Sequence, residues 1–191
     1  FSGFGGLLIH YHGMSAGGGS LKDAFALATG SHVFVSFASA LKLPALAQIC
    51  STFALDNGAY RAWRKGEEFN WGDYLEFVKQ WRRHPACDWH VIPDVIDGSE
   101  RENDDWIRKW PKDLGGVPVW HLHESLDRLV RLAEDFPRVA LGSSGDFSDV
   151  GTVAWWSRME QAMAKVCDSH GRPKVKLHGM RMLNWRIFTR L

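Results

Sequence analysis

The chain has 191 residues, of which 45% are hydrophobic, and its formal net charge at pH 7 is +1. This length suits one domain of ordinary size, and this apolar fraction can fill a sizeable core. A nearly neutral total implies neither a polybasic binding surface nor an acidic tail. A nucleic-acid partner would therefore have to be held by a local basic patch.

The three cysteines, Cys50, Cys87 and Cys167, are odd in number and far apart in sequence. This spacing fits neither a disulfide framework nor the close cysteine pairs of a zinc ribbon. A reducing, cytoplasmic setting is therefore expected. No apolar run approaches the roughly 18 residues that a membrane-spanning helix needs, and the first residues lack the pattern of a secretory leader. Contact with a membrane is not expected.

Seven short apolar runs predict β-strands, and most of them end in a polar or titratable residue followed by a turn. These runs lie at residues 7–13, 33–38, 53–56, 89–94, 117–121, 138–142 and 174–179. Between them, apolar residues at helical spacing and helix-capping residues predict helices. The predicted helices lie at residues 21–29, 44–50, 73–83, 99–114, 126–133 and 150–169.

Regular alternation of strands and helices predicts parallel βαβ units in an α/β fold, and the commonest closed form is the (β/α)₈ barrel. A doubly wound open sheet is the alternative. No G-x-G-x-x-G follows the first strand, and the Gly17-Gly18-Gly19 run lacks the lysine of a phosphate loop. We expect residues 1–191 to form a single barrel domain that is incomplete at its C-terminus, with the closing eighth strand outside the sequence.

The stretch from Phe53 to Tyr60 contains the leading catalytic candidate. An apolar strand runs into Asp56, Asn57 and Gly58, which places one carboxylate at the rim of a predicted sheet. The alternative is a plain Asx turn, in which Asp56 hydrogen-bonds its own backbone and Gly58 supplies a positive φ. Both interpretations predict a strand that ends at Asp56.

In a barrel, catalytic groups collect at the carboxyl ends of the strands. This rule gathers a set of strand-end residues around one mouth: His10, His12, Ser36, Asp56, Asp94, Asp97, His121, Ser143, Ser144 and His178. Strand alternation further predicts that one of His121 and His123 faces away from this mouth.

Two chemistries suit such a mouth. Carboxylates can act as nucleophile and general acid-base on a glycosidic bond while serines and backbone amides hold a flat heterocycle. Alternatively, a set of strand-end residues binds one or two metals that activate water, as in amidohydrolase-like barrels. That metal set would be His10, His12, Asp94, His121 and His178. A strand-end histidine is more often a hydrogen-bonding residue than a ligand.

Several motifs carry a resemblance that favours the first chemistry. Leu55 to Tyr60 is similar to the Asp-Ser-Gly-Gly-Phe type motif of tRNA-guanine transglycosylases. Ile92-Pro93-Asp94-Val95 resembles their second acidic motif, and Val139 to Gly145 resembles their glycine-rich base-binding strand. With residues 118–124 and 176–183, the order of these motifs resembles the phage-type branch that exchanges guanine in DNA for a 7-deazaguanine.

The resemblance implies a role for each site residue. Asp56 would handle the proton of the leaving or entering base, and Asp94 would accept hydrogen bonds from the base. Met180 would stack on the heterocycle. The full set expected to contact substrate, beside these two catalytic aspartates, is Asn57, Gly58, Asp97, His121, Gly142, Ser143, Ser144, His178 and Met180.

The resemblance also implies the partners. A 7-deazaguanine base and DNA are the expected substrates. We favour tRNA less, because nothing in the sequence supplies the cysteine-rich zinc site of the tRNA enzymes. No cofactor or metal is expected, and a homodimer is an assembly to test.

The aspartate that attacks the sugar carbon is expected on the strand after Leu183, and no such residue precedes Leu191. By itself, the chain is therefore expected to bind a 7-deazaguanine weakly and to exchange nothing. A third interpretation is a non-catalytic nucleic-acid-binding remnant. Its phosphate contacts would come from Arg61, Arg64, Lys65, Arg82 and Arg83, although a solvated helix face explains these cations equally well.

Overall fold

A computed structural model describes residues 9–14, 21–182 and 187. The strands are β1 (Tyr11–Met14), β2 (His32–Ser36), β3 (Thr52–Asp56), β4 (Cys87–His90), β5 (Val119–His121), β6 (Arg138–Gly142) and β7 (Lys176–Met180). The α-helices are α1 (Leu21–Ala28), α2 (Leu43–Leu46), α3 (Ala59–Lys65), α4 (Trp71–Trp81), α5 (Glu100–Lys109), α6 (Leu126–Asp135) and α7 (Val153–Val166). Short 3₁₀ segments lie at Phe37–Lys42, Lys112–Leu114 and Gly145–Phe147.

The chain divides into two compact units. The first comprises Phe1–Arg61 with Asn70–His90, and the second comprises Ala62–Phe69 with Val91–Leu191. The first unit holds a parallel sheet in the order β1-β2-β3-β4, and the second holds a parallel sheet in the order β5-β6-β7. Parallel strands that alternate with helices establish the α/β class predicted from the sequence.

In the first unit, β2 shows the alternation of a strand packed on one face. Val33 and Val35 are fully buried. The register of β2 with β3 pairs Val35 with Leu55 and Ser36 with Asp56. This pairing puts Ser36 and Asp56 side by side at the carboxyl edge of the sheet.

In the second unit, the two faces of the sheet have different surroundings. One face carries Trp120, Val139, Leu141 and Leu177, which join an apolar core with residues of α6 and α7. The opposite face follows from strand alternation and the interstrand register. It carries Val119 and His121 on β5, Ala140 and Gly142 on β6, and His178 and Met180 on β7.

The first and fourth predicted strands have different bounds in the structure, and one helix was not predicted. The sequence suggested that the first strand ends in both His10 and His12. In the structure this strand begins at Tyr11, so His12 lies inside it and His10 precedes it. Residues 7 and 8 lie outside the described part of the chain. The fourth strand ends at His90 because Pro93 cannot donate to a ladder, although Val91 still bridges Val117 in parallel. Helix α3 was not predicted.

Within the described residues, every helix is too short or too polar to cross a lipid bilayer.

Candidate functional site

The turn after β3 is built by Asn57. Its Oδ1 accepts a hydrogen bond from the backbone N–H of Ala59 at 2.9 Å, and the side chain is 1% exposed. Gly58 has φ +81°, as the turn requires. An Asx turn with a positive φ at Gly58 therefore forms, but its acceptor is Asn57, whereas the sequence-based alternative gave this role to Asp56. Asp56 is the last residue of β3, and its side chain is half-buried at the sheet edge.

Asp94 and His121 form a buried pair in the second unit. The Nε2 atom of His121 lies 2.9 Å from Oδ2 of Asp94, and the two side chains are 2% and 5% exposed respectively. His121 is the last residue of β5, whereas Asp94 lies in the coil that follows Pro93. The prediction that both residues lie where strands end holds for His121, and for Asp94 it holds only loosely, because β4 has already ended.

Asn103 fixes the backbone next to Asp94. Its Oδ1 accepts from the N–H of Val95 at 2.8 Å, and its Nδ2 donates to the carbonyl of Val95 at 3.2 Å. The same Nδ2 donates to Oε1 of Glu124 at 2.9 Å. One buried amide thus ties the Asp94 segment to the residues that follow β5.

Glu124, which accepts the hydrogen bond from Asn103, also accepts hydrogen bonds from two other residues. Its Oε2 accepts from the backbone N–H of His121 at 2.9 Å and from Nη1 of Arg128 at 2.6 Å. Arg128 is 1% exposed and also donates to Asp104 and to the carbonyl of Val119, each at 2.9 Å. The buried carboxylate and guanidinium together hold both ends of β5.

Sequence reasoning did not select Asn103, Glu124 or Arg128 as site residues. All three sit among charged neighbours that read as solvated helix faces or as part of a polar turn. The available signal is the spacing of Glu124 and Arg128, which are four residues apart with opposite charge. Their burial follows only from the three-dimensional structure.

A row of three residues crosses the second sheet at its carboxyl edge. In register, His121 is adjacent to Gly142, and Gly142 is adjacent to Met180. A Cβ added at Gly142 would lie 2.9 Å from Nδ1 of His121, which is closer than a side chain tolerates. Glycine is therefore required beside this imidazole, and the row is flanked by Asp94 on the His121 side.

The two serines after β6 are held by protein groups. Ser143 Oγ accepts from the indole Nε1 of Trp155 at 3.0 Å. Ser144 Oγ lies 2.7 Å from Nδ1 of His123, whose Nε2 lies 3.1 Å from the carbonyl oxygen of Gly98. Their hydroxyls connect the loop after β6 to α7 and to the residues around Gly98.

The expectation that His121 and His123 face opposite ways is wrong. Strand β5 ends at His121, so strand alternation no longer governs His123. The two rings stack with centroids 5.8 Å apart and planes inclined by 21°. His123 is exposed, whereas His121 is buried.

The remaining predicted residues lie elsewhere in their units. Asp97 is exposed, and its Oδ2 accepts from the indole Nε1 of Trp63 at 2.8 Å. The rings of His10 and His12 have their centroids 4.3 Å apart and their planes inclined by 35°. Burial and the neighbouring His12 lower the pKa of His10. Within the described ranges, no three His, Cys, Asp or Glu side chains are grouped as metal ligands would be.

His178 lies half-buried in β7, where it is paired in register with Ala140 of the adjacent strand β6. Burial, and to a smaller extent the charge of the nearby Arg138, lower the pKa of this imidazole to about 4. His178 is therefore neutral at pH 7. Between about pH 6.5 and about pH 4, the unfolded chain binds a proton at this residue and the folded chain does not.

We expect the free energy of unfolding to fall as the pH drops through this window, because protonation favours the unfolded state. His178→Gln removes the titrating group, so its unfolding free energy should depend less on pH between 4 and 6.5 than that of the parent. Urea unfolding at a series of pH values measures the difference. An identical pH dependence in the two proteins would contradict the assignment of a neutral His178 with a lowered pKa.

Comparison of this chain with known protein families, with curated proteins and with solved structures found no match in any of the three.

Proposed function

We propose that this chain is a base-exchange glycosyltransferase that replaces guanine in a nucleic acid with a 7-deazaguanine, and that its fold is a (β/α)₈ barrel. The observation that carries the proposal is the row of His121, Gly142 and Met180 at the carboxyl edge of a parallel sheet, with Asp94 bonded to His121. Ligand sites of α/β enzymes lie at this edge.

The chemistry of the row suits a flat, hydrogen-bonding heterocycle. The Asp94 carboxylate accepts hydrogen bonds, and Gly142 leaves the strand without a side chain beside the imidazole. Met180, half-buried on the neighbouring strand, offers a polarisable sulfur that packs well against aromatic rings. Together these groups would bind the edge of a purine and one of its faces.

Asp56 is the proposed general acid-base. Exchange breaks the glycosidic bond to guanine and forms the same bond to the incoming base, so one proton must be delivered to the leaving base and one removed from the entering base. A half-buried carboxylate at the end of β3 suits both transfers.

DNA is the proposed polymer substrate, with tRNA as the alternative. Helix α3 begins directly after the Asp56 turn and carries three exposed cations, Arg61, Arg64 and Lys65. Cations of this kind contact phosphates, and such contacts weaken as salt rises. Binding of DNA without any exchange would instead support the non-catalytic alternative.

The proposal is tested with the complete gene product. DNA and tRNA that contain labelled guanine are each incubated with the protein and 7-deazaguanine. Release of labelled guanine and binding of 7-deazaguanine to the protein are both measured. We expect 7-deazaguanine to bind and Asp94→Asn to weaken this binding at least tenfold, because the amide presents a donor where a charged acceptor is needed (~1.5–3 kcal/mol per charged hydrogen bond). Asp127→Asn, an exposed change on α6, is the matched control.

The same preparation separates base exchange from the metal-dependent hydrolase alternative. We expect elemental analysis to show no stoichiometric transition metal and chelators to leave base binding unchanged, since Asp94 already bonds His121 Nε2. One bound metal per chain, lost on chelation together with activity, would favour the hydrolase. Failure of the parent protein to bind 7-deazaguanine would reject the base-exchange proposal.

A further inference from the structure

We infer that Nδ1 of His121 is a hydrogen-bond acceptor reserved for an N–H donor of the ligand, and that it sets which heterocycles the site accepts. The choice of 7-deazaguanine as the probe rests on the function proposed above. The inference itself rests on three features of the second unit: the partner of Nε2, the surroundings of Nδ1, and the glycine beside it.

The partner of Nε2 fixes the proton on the ring. Nε2 lies 2.9 Å from Oδ2 of Asp94, and an ionised carboxylate oxygen can only accept a hydrogen bond. Nε2 therefore carries the proton, and in the neutral imidazole the other nitrogen, Nδ1, is left with a bare lone pair. Asp94 thus makes His121 an acceptor on its far side.

Nδ1 is buried, and among the described residues it has no hydrogen-bond partner. The whole His121 residue is only 2% exposed. Buried polar atoms of folded proteins are nearly always paired, and one that is left unpaired costs about 1–3 kcal/mol. A ligand donor at this position would remove that penalty.

Gly142 places no side chain beside the same nitrogen. A Cβ at this position would lie 2.9 Å from Nδ1 and 3.3 Å from Cε1 of His121. Any side chain would therefore press on the imidazole from the strand next to it. On the other side of Gly142, Met180 provides an apolar neighbour for a ring that reaches Nδ1.

These features define a ligand class: a planar heterocycle that directs a ring N–H or an amino N–H at Nδ1. Guanine and 7-deazaguanine carry such donors on one edge. An analogue with a lone pair or a methyl group at that place would set two acceptors against each other or displace the ring. We expect such analogues to bind about tenfold to a hundredfold more weakly.

The first test is nitrogen NMR of histidine-labelled protein at neutral pH. We expect Nε2 of His121 to be protonated and Nδ1 to be unprotonated in the free protein. Addition of 7-deazaguanine should shift the Nδ1 resonance in the direction of an accepted hydrogen bond. Among derivatives methylated at one nitrogen at a time, the one that lacks the relevant donor should bind without this shift or fail to bind.

Variants give an independent readout. His121→Gln keeps a donor for Asp94 and an acceptor on its other side, whereas His121→Phe has neither. We expect His121→Gln to retain measurable binding and His121→Phe to lose at least tenfold in affinity. Gly142→Ala should abolish binding and should also shift the Nδ1 resonance of His121, because the added Cβ would press on this nitrogen. His170→Gln, an exposed histidine change, is the matched control.

The inference would be overturned by a proton on Nδ1 in the free protein, or by binding of 7-deazaguanine with no change at Nδ1. If 7-deazaguanine does not bind at all, the proposed function is wrong, and isocytosine, which carries the same lactam and amino donors, becomes the probe. Absence of any response of Nδ1 to isocytosine would then reject the inference separately. The spectra use the unaltered protein, so a variant that does not fold leaves the test intact.

Discussion

Asp56→Asn is expected to lower the rate of base exchange by about 10²–10⁴-fold, because the amide keeps the shape of the carboxylate and can neither take up nor release the proton. Folding should change little, since the turn after β3 depends on Asn57 and Gly58 and the core strand beneath it is unaltered. Release of labelled guanine from DNA by the complete gene product, with and without this change and under saturating base, measures the effect.

The control for this change is Asp113→Asn, which removes an exposed carboxylate from a 3₁₀ segment of the second unit. It alters the net charge by the same amount and should leave exchange within a factor of about two. Exchange by Asp56→Asn at nearly the parent rate would show that another group handles the proton, and Asp94 would be the next residue to replace.

Arg128→Met is expected to lower the free energy of unfolding by about 3–5 kcal/mol. The methionine keeps most of the apolar stem but leaves Glu124 buried without its cation, and it removes the hydrogen bonds to Asp104 and Val119. Breaking a buried pair by removal of one partner is far more costly than loss of an exposed pair, because the remaining charge cannot reach water. Urea unfolding followed by tryptophan fluorescence measures the loss.

Arg131→Met provides a matched comparison within the same helix. Arg131 also donates to Asp104, but its side chain is 50% exposed, so its loss should cost about 0–1 kcal/mol. Adding Glu124→Gln to Arg128→Met should restore part of the stability, since the stranded charge is then removed. Similar losses for Arg128→Met and Arg131→Met would contradict the assignment of a buried ion pair.

Local signals in the sequence predict much of the second unit. The capping residue Ser125 and the apolar spacing after it predict α6, and the structure confirms this helix with Ser125 Oγ accepting from the N–H of Arg128. The run from Arg138 to Gly142 predicts β6 with its observed bounds. These elements have strong start and stop signals and bury one face, so short-range pattern and tertiary packing agree.

Helix α3 shows what the pattern leaves out. The segment Ala59–Lys65 buries little apolar surface, with Ala59 its buried residue, and its exposed positions give no amphipathic repeat. The helix starts because Asn57 satisfies the N–H of Ala59, a contact that depends on the turn geometry set by Gly58. Helix prediction from the spacing of apolar residues cannot detect such a side-chain to backbone hydrogen bond.

The candidate site likewise contains residues that the sequence predicts and residues that it does not. The strand-end rule selected Asp94 and His121 from the sequence, and the family resemblance added Gly142; the structure places these three together in one unit. The groups that hold them in place, Asn103 and Glu124, were not found, because a buried amide and a buried carboxylate look like solvated residues when only the sequence is read. Burial of polar groups is decided by long-range packing.

The Asn57-Gly58 turn also governs how the protein ages chemically. In an Asn-Gly pair, the glycine nitrogen can attack the asparagine side-chain carbonyl, release ammonia and leave a succinimide that opens to aspartate or isoaspartate. In the fold, Asn57 is 1% exposed and its amide oxygen holds the N–H of Ala59, so the side chain must leave this bond before it can cyclise. Deamidation at this position should therefore proceed through local opening of the turn, and its rate should follow the frequency of such openings. Isoaspartate lengthens the backbone directly after Asp56. The time over which Asp56 keeps its position therefore depends on the stability of the neighbouring turn.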